Sequence, residues 1–118
     1  MWGAMETMKI VQKWEDMAIY LYIALKQFPR SERHTLAAET ANALWKIGTC
    51  ITRANAIKSF SERKQLIEQA DMELARLKVL VRMAMLLKFI DTKKYGILSA
   101  QIVEIGKMLG GWLRSPGV

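Results

Sequence analysis

Cysteine and histidine each occur once in this sequence, as Cys50 and His34. A single cysteine excludes a disulfide framework and fits a reducing compartment, so a cytoplasmic location is expected. The pair also leaves little for nucleophilic chemistry. Read along one helix, the two lie roughly four turns apart and cannot meet within a chain. The Glu-x-x-His pairs that hold metals in helical bundles are absent. Cys50 falls on an apolar stripe and reads as a small buried hydrophobe, and His34 as a solvated first-turn residue. Glu68, Asp71 and Glu104 read as surface or ion-pairing groups. No catalytic residue, metal or cofactor is expected, and the chain reads as a non-enzyme.

Proline is almost as scarce. Pro29 and Pro116 are the only two, and neither interrupts a long periodic segment. Turn clusters of the kind that separate short strands are missing, which argues against an all-β fold. No uninterrupted apolar run reaches about 18 residues, so no membrane contact is expected. The opening MWGAMETMKI has no charged start followed by a long apolar stretch, so no secretory leader is expected. Yet apolar residues make up 52 % of the chain, too many for a disordered segment.

What the sequence has in abundance is helix formers at three- and four-residue spacing. They predict helices over about 5–28, 31–58, 60–90 and 92–114, in one domain spanning 1–118. The first carries Trp14, Met17, Leu21, Leu25 and Phe28, and Pro29 stops it. The second is expected to start at Ser31, with Glu32 in its first turn. Its stripe is Leu36, Thr40, Ala43, Ile47, Cys50, Ala54 and Ile57, alternating four and three as a bundle seam does. Ser59 and Glu62 have capping-box spacing ahead of Ile67, Ala70, Leu74, Leu77, Val81 and Ala84. Asp91 or Thr92 caps the fourth, which carries Tyr95, Leu98, Ile102, Ile105, Leu109 and Trp112. The expected fold is all-α, an up-down-up-down antiparallel four-helix bundle.

Residues 77–90, LKVLVRMAMLLKFI, are apolar nearly all round. Only Lys78, Arg82 and Lys88 break the run. Val79, Met83 and Leu86 fall away from the core stripe, and soluble monomers rarely leave such a surface bare. These three are expected to contact another copy in a homo-oligomer.

The net charge is +7, which favours a polyanionic partner. Lys78 and Arg82 are neighbours one turn apart, with Lys64 on the same flank. Arg76, Arg53 and Lys46 add to the basic surface. Aromatic residues are not interleaved with these charges, so nucleic-acid contact would be made to phosphates, independent of sequence.

The segment IGKMLGGWLRS (105–115) is not a phosphate loop. Gln101 stands at the first glycine position, Met108 at the Ser/Thr position, and no strand precedes it. Gly106 and Gly110 have the spacing of a membrane-helix dimer motif, but in too charged a helix. The expectation is close backbone approach of another helix at Gly106 and Gly110, with Trp112 anchoring the end.

Four segments appear in order: FPRSERHTL (28–36), ITRAN (51–55), QADMELARLKVLVRMA (69–84) and EIGKMLGGWLRS (104–115). Together they resemble the Avd family, the four-helix-bundle accessory proteins of diversity-generating retroelements. The fold is shared with bundle proteins encoded in ribosomal-RNA intervening sequences. The resemblance implies a ring of bundles, a homopentamer, that binds RNA or DNA without strong sequence preference. It also implies a partner, the retroelement reverse transcriptase, which copies template RNA into mutated complementary DNA. The family's basic positions on the third helix match Lys78 and Arg82. Arg76, Lys64, Arg53 and Lys46 are weighed by charge alone. The first residues, MWGAMETMKIV, match no motif. A helical adaptor that binds only protein is the second reading, and salt dependence separates the two.

Overall fold

The computed structural model describes residues 2–115 and contains four long helices. They are α1 (Ala4–Leu25), α2 (Leu36–Ala56), α3 (Phe60–Leu86) and α4 (Thr92–Arg114). Among the described residues there is no strand. Each helix packs on its two neighbours in the order α1, α2, α3, α4 and back to α1, and the backbones of the diagonal pairs stay farther apart. Cross-helix partners run in opposite senses. Glu39 meets Arg76 while Ala54 meets Arg63, and Trp2 meets Ser115 while Lys13 meets Glu104. The result is an antiparallel bundle, a rod of 45 × 24 × 18 Å.

The periodic stripes form its core. Met17 and Leu21, Ala43 and Ile47, Leu74 and Leu77, and Leu98 and Ile105 are all buried. The stripes are wider than the sequence reading drew them, because Ile10, Leu44 and Ile51 are also fully enclosed. Truncating one such aliphatic side chain to alanine costs about 2–5 kcal/mol.

The joints differ more. Two caps stand where expected: Ser59 Oγ accepts from the Glu62 amide at 3.4 Å, and Asp91 Oδ1 accepts from the Lys94 amide at 2.8 Å. The start of α2 does not. Arg30–Glu32 form a single 3₁₀ turn, and the α-helix begins at Leu36 rather than Ser31. The Glu32 carboxylate supplies the cap, accepting from the Thr35 hydroxyl at 2.7 Å and the Leu36 amide at 3.4 Å. It thus satisfies one amide of a helix that starts five residues later than expected. At the other end α2 stops at Ala56, where Arg63 reaches back to the carbonyls of Ala54 and Ile57. α1 ends at Leu25, three residues short of Phe28. α3 ends at Leu86 rather than 90, because Lys88 turns left-handed at φ 66°. The Phe89 amide then bonds Ala84 and the Lys88 amide bonds Met85, the double closure of a Schellman motif.

The glycine expectations also need correction. A β-carbon at Gly106 would sit 3.5 Å from Leu74 Cδ2, an ordinary contact. One at Gly110 would meet only Arg114 of its own helix. Neither position carries a close approach of two helices. The glycine that does is Gly48, in the middle of α2. A β-carbon there would overlap the Trp14 indole, which lies across this gap and donates to the Leu44 carbonyl at 3.1 Å. Trp112, near the end of α4, is buried and stacked on Trp2 with ring centres 5.0 Å apart.

Candidate nucleic-acid interface

On α3 the candidate cations divide into two sets. Lys78 and Arg82 stand together on one flank, about 6 Å apart along the axis. Both are exposed, and neither has an ion-pair partner among the described residues. Lys64 shares the flank, but about 21 Å away, and Asp71 lies midway between it and Lys78 at seven-residue steps. The flank that Lys64 shares with Lys78 and Arg82 is therefore interrupted by an acid, and only the Lys78–Arg82 pair is brought together.

Arg76 points the other way, toward α2. Its guanidinium is held by Glu39 of α2 and by Glu73, at 3.4 Å from the latter. That network ties the two helices and takes Arg76 out of the set of free cations. Lys46 and Arg53 lie two turns apart on α2, both exposed, on the side that meets α3. Cys50 is buried between them. Burial pushes its thiol above the ordinary value, against the nearby Arg53 charge. Such a thiol stays neutral and unreactive. His34 is exposed in the turn before α2 and does not approach it. Among the described residues no cluster of His, Cys, Asp or Glu is arranged to hold a metal.

Between the Lys78–Arg82 flank of α3 and the side that carries Arg76 runs an apolar ridge. Met72 is 73 % exposed and Leu86 61 %, with Val79 and Met83 in line between them. The predicted interface residues Val79, Met83 and Leu86 thus all face outward. A second apolar face, on α1, escaped the sequence reading. Ile19, Tyr22 and Ile23 are more than half exposed there, beside a 570 Å³ cleft that Trp14 and Trp45 line. The signal was an α1 with more apolar residues than one stripe needs. Because α1 and α3 are diagonal, the two faces point in opposite directions.

The fold also gathers charge that is scattered in the sequence. The end of α1, the start of α2, the end of α3 and the start of α4 share one end of the rod. Lys26, Arg30, Arg33, Lys88, Lys93 and Lys94 meet there against Glu32 and Asp91. Both acids are engaged, Glu32 as the α2 cap and Asp91 with Lys94. The bond from the Lys94 amide holds the Asp91 carboxyl below its ordinary value, so this cap is ionised. No helix among the described residues is long and apolar enough to cross a membrane.

No curated protein matches the sequence. Among solved structures, a protein of unknown function from the S23 ribosomal protein family of Bacteroides thetaiotaomicron is similar in fold. Its TM-score is 0.84 at 14 % identity, covering 93 % of this chain and 99 % of that one. The profile of the bAvd-like family matches residues 8–116. The chain folds as four helices and is matched over nearly its whole length, and it belongs to the bAvd-like family.

Proposed function

We propose that this chain is a non-catalytic, cytoplasmic accessory factor that binds a retroelement reverse transcriptase and nucleic acid, RNA or complementary DNA, and so supports mutagenic retrohoming. The observation that carries the reading is the free Lys78–Arg82 pair on α3, in a chain of the bAvd-like family. Two cations one turn apart repel each other unless an anion lies over both, and a phosphate backbone supplies one. The working form is a homo-oligomer, a ring-like pentamer by family resemblance. Apolar faces on diagonal helices support self-association, since a face of one copy can seat the opposite face of the next, and closure into a ring rests on the family resemblance alone. In such a ring the cations of successive copies repeat along one surface.

The test is fluorescence anisotropy with a short single-stranded RNA across a salt series. Lys78→Ala with Arg82→Ala should weaken binding and lower the salt slope by about 1.4, from roughly 0.7 per lost phosphate contact. Helicity should not change, because both side chains are exposed. Equal affinity and slope in the double variant would remove the pair from the site. Wild-type binding to RNA and reverse transcriptase should fall steeply with salt. A partner held with little salt dependence would favour the protein-only adaptor.

A further inference from the structure

The basic end of the rod contains a groove of about 410 Å³ between the end of α1 and the first turns of α2. Its floor is aliphatic and small: Leu25, Pro29, Ala37, Ala38 and Ala41. Its rim is Lys26, Arg30 and Arg33, and no acid lines it. Among the described residues none of these three has an ion-pair partner. Glu32 is the nearest acid in sequence, and its carboxylate is engaged on Thr35 and Leu36.

We propose that this groove is a docking site for an acidic segment of a partner protein that carries aliphatic side chains. Charge complementarity selects an anion, because Arg30 and Arg33 have no carboxylate partner and Lys26, whose ammonium lies 4.9 Å from the centre of the Tyr22 ring, has none either, so the three cations repel across the groove until a negative group relieves them. The floor then selects among anions. A bare phosphate backbone has no apolar part to place on alanine and leucine. Bases would need exposed aromatic faces to stack on, and Phe28, the aromatic residue of the groove, is buried. A peptide answers both requirements, with aliphatic side chains on the floor and carboxylates on the rim. Ala37, Ala38 and Ala41 also let its backbone come close to α2. This site is separate from the Lys78–Arg82 pair and does not depend on the nucleic-acid reading.

The probe is a synthetic peptide of about 14 residues, long enough to form helix when bound, made of Glu and Leu with Leu at three- and four-residue steps. Binding to methyl-labelled protein is followed by NMR. The Ala37, Ala38 and Ala41 methyl signals should shift. Arg30→Glu with Arg33→Glu should weaken binding at least about tenfold through like-charge repulsion. Ala41→Trp, which fills the floor without changing charge, should weaken it too. Far-UV circular dichroism checks that both variants fold. The Lys78→Ala, Arg82→Ala protein should bind the peptide as wild type does. No shift at these methyls, equal affinity in the Arg30→Glu, Arg33→Glu protein, or loss in the α3 variant would overturn the proposal. So would a single-stranded RNA that shifts the same methyls and displaces the peptide. If the peptide fails while RNA still binds through α3, the groove reading falls and the proposed function stands.

Discussion

Gly48 is the residue whose chemistry is most fully decided by its surroundings. A glycine inside a helix costs about 1 kcal/mol relative to alanine. Here that cost is offset by the Trp14 indole, which crosses α2 and hydrogen-bonds the Leu44 carbonyl through the gap. Gly48→Ala should therefore destabilise the fold, by about 1–3 kcal/mol from overpacking, although alanine is the better helix former. Urea unfolding measures the loss. Trp14→Phe in the same chain should recover part of it, because the overlapping atoms belong to the six-membered ring of the indole. A Gly48→Ala protein as stable as wild type would show that the indole moves aside freely. The hint in the sequence was an unexplained glycine on a strongly periodic helix. Gly106 and Gly110 drew attention instead because their spacing is a known motif, and spacing does not say which neighbour a face meets.

At the scale of the helix, period was legible and ends were not. The α2 stripe from Leu36 to Ala54 is buried as its alternating spacing predicts, since a helix in a bundle must bury one face. The start of α2 depends on where the Glu32 carboxylate reaches, and the end of α3 on a backbone reversal, neither of which has a period. The basic site was legible only in part for a similar reason. Charge is visible residue by residue, but Arg76 has partners on another helix, and the cations at the end of the rod come from four segments. The α3 end also predicts a stabilising change. Lys88 occupies the left-handed position that glycine usually takes in this motif. Lys88→Gly should stabilise by about 0.5–1 kcal/mol, read from thermal melts, because relief of the left-handed strain exceeds the added freedom of the unfolded chain. A lower melting temperature would mean that the Lys88 side chain makes a contact worth more than the strain.

At the scale of the whole molecule the opposed apolar faces make a prediction that one face would not. Val79→Glu with Met83→Glu should leave the bundle folded but reduce the native mass to the 13.5 kDa monomer. Ile19→Glu with Ile23→Glu should do the same. If the α1 face of one copy seats the α3 face of the next, an equal mixture of the two variants keeps one sound contact. It should then form pairs and nothing larger, as light scattering can show. Larger species in the mixture, or variants that stay assembled, would rule out that mode of contact.

The stacked indoles of Trp2 and Trp112 have a consequence for how the chain reaches its shape. The Trp2 amide bonds Ser115 Oγ across 113 positions of sequence, whereas each helical joint links immediate neighbours. Closing so long a loop in an open chain is entropically unfavourable, and the cost falls once intervening helices have drawn its ends together. The two rings therefore meet after the hairpins have formed. Their contact is a clasp that completes folding rather than a seed that begins it.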